Sequence, residues 1–283
     1  MSSLTVCSCL MDFASEDGED NQMVNVGVLA SGRGSNFEAI LQHEKLGIFE
    51  GVHVSVLIYN NPGAHVKDLA SEHGVTSHFV DHSGKDRIDF EHEIATILDS
   101  YNVQLVCLAG WDRVVGSELF QKYRWKMMNI HPALLPSFGW KGLNAKYVHE
   151  AVLEYGVKLT GCTVFFVDVS VEKGPIILQH PVRVLESERE MFAIKREEAI
   201  QSLSDRVLLH EHRIYPEAIQ LYAEDRLRVQ ETATHDEHEI RTIRSVATDL
   251  SGDWEKKWRD RQRSFIEWQK RQWIERGMIL SED

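Results

Sequence analysis

The sequence at residues 127–136 reads Met127-Met128-Asn129-Ile130-His131-Pro132-Ala133-Leu134-Leu135-Pro136. Its apolar start predicts a β-strand, and alternate side chains of a strand point to the same side, so Asn129 and His131 would share one face. Pro132 has no N–H to donate to a neighbouring strand, and it would therefore end this one. The two polar side chains would then lie at the carboxyl end of a strand, which is where open α/β sheets bind their ligands.

Asparagine and histidine together suit the transfer of an acyl or formyl group to an amine. A side-chain amide N–H can stabilise a developing oxyanion, and an imidazole can donate a second hydrogen bond and move a proton near neutral pH. Because a histidine beside a strand end is more often structural than catalytic, this interpretation needs support from the rest of the chain.

A second stretch predicts a binding site for a phosphate. The β-rich run Val24–Ala30 is followed by Ser31-Gly32-Arg33-Gly34-Ser35-Asn36 and then by the start of a helix. A glycine-rich turn that leads into a helix N-terminus presents backbone N–H groups to an anion. The spacing matches neither the dinucleotide fingerprint nor the Walker loop, so we expect one phosphate monoester, held by Ser35, Asn36 and the amides of the turn. A turn that merely joins a strand to a helix is the alternative.

The remaining pattern predicts an α/β fold, an open and mostly parallel sheet flanked by helices. Strands are predicted at 52–58, 76–80, 103–109, 159–167, 176–184 and 226–229, and helices at 64–73, 86–101, 145–154 and 185–224. A short polar loop joins strands 159–167 and 176–184, which favours an antiparallel extension of the sheet. Glu172 lies in that loop, where a glutamate is usually only solvated. The loop 110–115 is expected beside the glycine-rich turn and the Asn-x-His strand.

Length and composition describe an ordinary globular protein with ample chain for a buried core. The 283 residues are 43% hydrophobic and 27% charged, and the net charge of −13 argues against non-specific binding to nucleic acid or to an anionic membrane. No apolar segment reaches the length of a membrane span, and the N-terminus lacks the cationic start of a targeting peptide. The four cysteines, Cys7, Cys9, Cys107 and Cys162, fit no zinc motif. We therefore expect a reduced, cytoplasmic protein that binds no metal.

The two ends of the chain differ from its middle. Residues 1–22 contain an acidic run and no apolar period, so we expect a disordered tail. Residues 232–239 are polar and predict a linker, whereas 254–276 predict a helix with large aromatic residues on one side. These are Trp254, Trp258, Phe265 and Trp268, which fall within about 80° of one another around the helix axis.

This aromatic stripe has two interpretations. Either it packs on the body of the same chain, or the helix between Trp254 and Trp273 forms a surface for self-association or for a protein partner. A helix that lies on a membrane is disfavoured, because the basic residues of this segment are interleaved with acidic ones.

Six motifs carry a resemblance to one enzyme family. They are Ser31-Gly-Arg-Gly-Ser-Asn36, Leu108-Ala-Gly-Trp-Asp-Arg113, Met128-Asn-Ile-His-Pro-Ala-Leu-Leu-Pro136, Gly161-Cys-Thr-Val164, Lys173-Gly-Pro-Ile-Ile177 and Glu211-His-Arg-Ile-Tyr-Pro216. In this order and approximate spacing they resemble the glycinamide ribonucleotide formyltransferases. Methionyl-tRNA formyltransferase and formyltetrahydrofolate deformylase are similar around Asn-x-His but are not expected to carry the first motif. The resemblance divides the chain into a tail at 1–22, a formyltransferase domain at 23–229, and a linker with a tryptophan-rich helical extension at 230–283.

The resemblance implies transfer of a formyl group from 10-formyltetrahydrofolate, as co-substrate, to the amine of glycinamide ribonucleotide in purine biosynthesis, with no metal. It implies that the ribonucleotide phosphate is held by Gly34, Ser35 and Asn36, and the ribose hydroxyls by Glu211. The folate pocket would be lined by Trp111, Arg113, Val115, Val167 and Asp168. Asn129 would donate a hydrogen bond to the formyl oxygen, and charged His131 would stabilise the oxyanion and assist proton transfer.

Three positions depart from the family pattern. Glu172 stands where the family has the catalytic aspartate that orients the histidine, and its longer side chain keeps that contact only if the loop retreats. Phe165 stands where the family usually has a histidine, and Asn144 replaces a histidine of the loop after Leu-Leu-Pro. Two hypotheses follow. The chain is a working but altered transformylase, or it is a catalytically impaired or repurposed formyltransferase-fold protein that binds a partner through its C-terminal helix.

Overall fold

The computed structural model describes residues 23–139, 145–168, 173–236 and 239–275. The tail predicted to be disordered at 1–22 lies outside these ranges, as do Asn144 and Glu172.

Strands and helices alternate along the chain. The first part contains β1 (Val24–Ala30), α1 (Ser35–Lys45), β2 (Val52–Tyr59), α2 (Val66–Glu72), β3 (Ser77–Phe79), α3 (Arg87–Ser100), β4 (Leu105–Leu108), α4 (Ser117–Lys122) and β5 (Met127–His131). The second part contains α5 (Ala145–Tyr155), β6 (Leu159–Phe166), β7 (Ile176–Arg183), α6 (Glu186–Phe192), α7 (Arg196–Ala223), β8 (Leu227–Asp236), β9 (Glu239–Thr248) and α8 (Trp254–Glu275).

The main sheet has seven strands in the order β3-β2-β1-β4-β5-β6-β7. Neighbours from β3 to β5 run parallel, and β6 and β7 are added antiparallel, so the predicted fold class and the antiparallel extension are confirmed. The chain passes from β1 outward to β2 and β3, then returns to β4 on the other side of β1. The crevice between the carboxyl ends of β1 and β4 is therefore the point where open α/β sheets bind ligands.

The central strands are buried on both faces, as expected for parallel strands covered by helices. One hydrophobic cluster joins the sheet to α1 and α7, and it includes Val26, Val28, Met128, Ile40 and Ile219. The other joins the opposite face to α3 and α4, and it includes Leu29, Val106, Met127, Ile94 and Leu119. Along β1 and β5 consecutive residues therefore alternate between the two clusters.

Tyr215 connects α7 to the two strands that end beside the crevice. Its ring is fully buried, and its hydroxyl lies 3.0 Å from the backbone oxygens of Leu108 and of Met128. A hydroxyl has one proton, which these two carbonyls share. The helix is thereby fixed over the end of β4 and the start of β5, although Pro216 within it cannot donate a helical hydrogen bond.

The helical prediction at 185–224 is confirmed, and the segment forms two helices, α6 and α7. The short helix α4 lies where none is predicted. A helix of six residues is too short to show an apolar period, so its sequence gives no signal.

The linker predicted at 232–239 is wrong for the described residues. β8 and β9 form an antiparallel pair from Leu227 opposite Thr248 to Asp236 opposite Glu239, and the short strand predicted at 226–229 is the start of β8. The segment is polar, but its threonines are β-branched and suit an extended backbone. The polar composition of this segment predicted a loop, because a local pattern carries no information about the strand β9 with which β8 pairs.

The aromatic side of α8 packs on the body of the same chain. Trp254, Trp258 and Phe265 are buried in a cluster with Ala39 and Leu221, which belong to α1 and α7. Trp268 packs against the same cluster. The stripe is thus an internal contact of this chain, as the first of the two interpretations states, and it is not a free docking surface.

A substitution in this cluster tests how strongly α8 is attached. Phe265→Ala should lower the free energy of unfolding by about 3–5 kcal/mol, because it removes a fully buried ring and leaves a cavity. Ile274→Ala is the control, since Ile274 lies on the same helix with 67% of its surface exposed. Urea denaturation of both variants is the measurement, and an equal effect of the two would contradict the packing described here.

Candidate active site

The glycine-rich turn connects β1 to α1 and packs against the start of α2. Gly34 has a φ of 84°, and a Cβ there would lie 2.6 Å from Cγ2 of Val66. The Val66 N–H donates to the Gly32 oxygen at 3.2 Å, and the Glu38 N–H donates to the Gly34 oxygen at 2.8 Å. A side chain at position 34 is therefore excluded by both backbone conformation and space. The turn leads directly into the N-terminus of α1, where the first backbone N–H groups have no partner within the helix.

A network around Asp112 holds three loops together at the crevice. The Ser31 N–H donates to the Gly110 oxygen at 3.1 Å, and the Ser31 hydroxyl donates to Asp112 Oδ1 at 3.0 Å. Asn60 Nδ2 donates to the same carboxylate oxygen at 2.7 Å. These contacts join the ends of β1, β2 and β4, and they confirm that the loop after β4 lies beside the glycine-rich turn.

Asn36 and Glu211 connect the turn to α7. Asn36 Nδ2 donates to Glu211 Oε2 at 2.8 Å, across 175 residues of sequence. The Asn36 Oδ1 atom is buried and has no hydrogen-bond partner among the described residues, so it is an acceptor available to a ligand. Both side chains therefore meet at the edge of the predicted phosphate site.

The charge of Glu211 depends on its surroundings. Burial raises the pKa of Glu211 above its ordinary value, and the hydrogen bond from Asn36 and the charge of His131 oppose that shift. The carboxyl group thus lies within electrostatic range of the histidine predicted from the β5 motif. This interaction links the glycine-rich turn to the Asn-x-His strand through one side chain.

Asn129 and His131 occupy alternate positions of β5, with Phe165 and Thr163 of β6 as their respective cross-strand partners. The Ile130 N–H donates to Asn129 Oδ1 at 2.9 Å. Because a backbone N–H can only donate, the bound atom is the amide oxygen, and the NH₂ group of Asn129 is left as the donor. His131 Nε2 lies 3.0 Å from the Phe138 oxygen, which can only accept, so Nε2 carries a proton.

The two cross-strand partners have different consequences. Phe165 is buried and gives the strand an apolar ring opposite Asn129. Thr163 is buried and shapes the loop that follows β5, because its hydroxyl donates to the Ala133 oxygen at 2.7 Å and accepts from the Leu135 N–H at 3.0 Å. The departure at Phe165 therefore lies directly beside the amide of the candidate pair.

Sequence reasoning missed His149, a residue of α5 that is 1% exposed. Burial, and to a smaller extent the charge of His131, lower the pKa of His149 to about 4, so His149 is neutral near neutral pH and lies within electrostatic range of His131. Its Nδ1 atom has no hydrogen-bond partner among the described residues. In the sequence, His149 is a histidine between Val148 and Val152 on the apolar side of a helix. Such a pattern is typical of a side chain that packs in the core, so it gave no sign of a role in the site.

The predicted folate residues fall into two groups. Trp111, Val115 and Val167 pack in the same hydrophobic cluster, and the Trp111 ring stacks on Phe90 with centroids 6.1 Å apart. Asp168, which is buried, follows Val167 directly. Arg113 instead extends to the surface, where it contacts His82 and lies 3.7 Å from Asp112.

Two further observations bear on cofactors and membranes. Among the described residues, histidine, cysteine, aspartate and glutamate side chains form no group of three that could hold a metal ion. In the same part of the chain, every helix is too short or too polar to cross a bilayer.

Comparison with known proteins gives consistent matches. The family model described as formyl transferase matches residues 24–219. The phosphoribosylglycinamide formyltransferase, chloroplastic, of Arabidopsis thaliana is 33% identical over 208 residues, which cover 73% of this chain and 68% of that protein. The crystal structure of glycinamide ribonucleotide transformylase 1 from Symbiobacterium toebii is 35% identical with a TM-score of 0.66, and the match covers 81% of this chain and 100% of that one.

The human relative is much longer than this chain. The trifunctional purine biosynthetic protein adenosine-3 of Homo sapiens is 38% identical over 213 residues, which cover 75% of this chain and 20% of that protein. The chain thus spans about a fifth of the length of this relative.

Glu211 gives a test of the site's electrostatics. Its folded pKa lies above the ordinary value of 4.5, so between those two values the folded chain binds more protons than the unfolded chain, and the free energy of unfolding falls as pH rises through that window. Glu211→Gln keeps an acceptor for Asn36 and does not titrate. The variant should therefore gain stability relative to the wild type as pH is raised from below 4.5 through the folded pKa of Glu211.

Urea denaturation across this pH range is the measurement. The exposed Glu267→Gln of α8 is the control and should follow the wild type at every pH. Parallel pH profiles of the wild type and Glu211→Gln would show that the carboxyl group has no raised pKa.

Proposed function

The chain belongs to the formyl transferase family, and we propose that it transfers the formyl group of 10-formyltetrahydrofolate to the amine of glycinamide ribonucleotide in purine biosynthesis. The observation that carries this proposal is the hydrogen bond between Asn36 and Glu211, because it joins a phosphate-type turn to a carboxyl group that interacts with His131. The Arabidopsis thaliana and Symbiobacterium toebii relatives are named for the same reaction.

In this proposal the ribonucleotide binds at the glycine-rich turn. Its phosphate accepts hydrogen bonds from Ser35 and from the backbone N–H groups of Gly34, Ser35 and Asn36. Glu211, already fixed by Asn36, accepts hydrogen bonds from the ribose hydroxyls. A buried carboxylate loses interactions with water, and two hydroxyl donors would replace part of them.

The folate donor would bind on the other side of the Asn-x-His strand. Trp111, Val115 and Val167 supply an apolar surface, which suits a flat heteroaromatic ring. Asp168 is the polar group beside that surface, and Arg113 at the exposed end suits the acidic tail of a folate. When bound, the folate supplies the formyl group.

Asn129 and His131 would carry the chemistry. The amine nitrogen attacks the formyl carbon, and the NH₂ group of Asn129 donates to the formyl oxygen as that oxygen becomes negative. His131 in its charged form has a second N–H, which also stabilises this oxygen. Collapse of the tetrahedral centre releases the folate nitrogen, which gains a proton as the attacking amine loses one, and His131 assists this transfer.

Glu172 is the third residue that we propose for catalysis. It would orient His131 and favour its charged form, in the role that an aspartate has in the family. Its side chain is one methylene longer than that of an aspartate, and Phe165 removes a polar group beside Asn129, so we expect a working enzyme with altered turnover. The repurposed-protein hypothesis is not favoured, because the aromatic face of α8 is already buried in its own chain.

We also propose a cytoplasmic location. Cys107 and Cys162 are buried free thiols, which suit a reducing compartment.

The function is tested by ribonucleotide-dependent loss of formyl from the folate donor. Asn129→Ala and His131→Ala should each lower kcat by about a hundredfold to a thousandfold, because each removes stabilisation of the developing oxyanion. Both should keep the affinity for a non-reactive folate analogue, which calorimetry measures. His92→Ala, a surface substitution in α3, is the control and should turn over like the wild type.

Two results would refute the proposal. A wild-type chain with no ribonucleotide-dependent activity would refute the reaction. Activity that survives both substitutions would refute the roles of Asn129 and His131.

A further inference from the structure

Two glutamines interrupt the aromatic face of α8. Gln262 is 6% exposed and Gln269 is 1% exposed, and they lie seven residues apart, on the same side of the helix as Phe265. Burying a side-chain amide is favourable only where it is hydrogen-bonded, so an apolar residue would attach the helix at less cost. The burial of these two amides therefore needs a reason other than the attachment of α8 to the rest of the chain.

Gln262 bridges α1 and α7. Its Nε2 donates to the Arg213 oxygen of α7 at 3.0 Å and lies 3.4 Å from His43 Nε2 of α1. His43 Nδ1 donates to the Ala39 oxygen at 2.8 Å, and burial lowers the pKa of His43 to about 3, so its Nε2 is an unprotonated acceptor. Both hydrogens of one amide group are thus used, one on each helix.

Gln269 holds the same turn of α7 through two further hydrogen bonds. Its Nε2 donates to the Leu209 oxygen at 3.2 Å, and its Oε1 accepts from Arg213 Nε at 3.1 Å. The donor and the acceptor of this amide are therefore both paired. Together the two glutamines contact the α7 backbone at positions 209 and 213.

The contacts on α7 flank Glu211, the residue of this helix that faces the candidate site. Leu209 and Arg213 are each two residues from Glu211, and therefore about 160° from it around the helix axis. In α1, His43 follows Asn36 by seven residues, about two turns, and lies on the same side of the helix. The α8 amides thus contact α7 on the side opposite Glu211, and contact α1 on the side that carries Asn36.

We propose that Gln262 and Gln269 are positioning residues for the ribonucleotide site, and that they act by setting the spacing of α1 and α7 and hence the Asn36–Glu211 hydrogen bond. The identity of the ribonucleotide rests on the function proposed above. Asn129 and His131 lie on β5 of the sheet, whereas the hydrogen bonds of these two glutamines go to α1 and α7, so the chemical step is predicted to be insensitive to the glutamines.

The test compares Gln262→Leu and Gln269→Leu with the control Gln272→Leu. Gln272 lies on the same helix and bonds only the exposed Glu275 among the described residues. Each of the first two variants loses both hydrogen bonds of its glutamine, which should raise the KM for glycinamide ribonucleotide by about tenfold. The KM for 10-formyltetrahydrofolate and kcat should stay within about twofold, and Gln272→Leu should match the wild type throughout.

A conservative variant sharpens the assignment. Gln269→Glu keeps the acceptor for Arg213 Nε and loses the donor to the Leu209 oxygen, so its KM for the ribonucleotide should fall between those of the wild type and Gln269→Leu. A purely structural role predicts instead a lower melting temperature with an unchanged KM, or equal losses in both KM values and kcat. Either of these results would overturn the proposal.

Amide hydrogen exchange separates this proposal from the function on which it rests. Peptides covering 35–45 and 205–215 should exchange faster in Gln262→Leu and Gln269→Leu than in the wild type, whatever reaction the protein performs. If the wild type lacks transformylase activity but exchange increases, the function fails and the positioning role stands. Unchanged exchange in both peptides would overturn the positioning role.

Discussion

The hydrogen bond from Asn36 to Glu211 is the contact on which the rest of the site depends. It joins the first turn of α1 to the middle of α7 at 2.8 Å, although the two residues are 175 positions apart. Glu211 is buried, and a buried carboxyl group is stable only where donors or positive charge replace water. Asn36 supplies a donor and His131 supplies charge. The same carboxyl group therefore connects the glycine-rich turn, the candidate phosphate site, to the strand that carries the candidate chemistry.

The fold brings these groups together through its sheet order. The chain adds β2 and β3 on one side of β1 and then β4 on the other side, which leaves a crevice between the carboxyl ends of β1 and β4. The loops at the rim of this crevice are joined through Ser31, Asn60 and Asp112. Tyr215 fixes α7 over the end of β4 and the start of β5, and Gln262 and Gln269 of α8 contact α7 on the side opposite Glu211. Acyl transfer requires two reactants to be held in a narrow range of geometry, and this arrangement supplies rigid elements for both.

Local signals in the sequence predict the parts of the site that are contiguous. The glycine-rich turn and the Asn-x-His strand are both visible, because the backbone geometry of each is set by neighbouring residues such as Gly34 and Pro132. Strand β9 and all but the start of β8 are not predicted, because their polar residues are stabilised by pairing with each other. His149, Gln262 and Gln269 were missed for a related reason, because the groups that they contact or interact with lie on other elements of the fold. In a local pattern, a buried amide or imidazole on a helix cannot be distinguished from a side chain that only packs in the core.

The central claim is that the glycine-rich turn and the Asn129–His131 pair open onto one connected space. Calorimetry with a single molecule that joins a folate analogue to glycinamide ribonucleotide tests it most directly. If the space is continuous, the second half binds as an intramolecular event, and the joined molecule should bind at least about a hundredfold more tightly than either half alone. A joined molecule that binds no more tightly than its better half would show that the two sites are separate and would contradict the assignment of a shared active site.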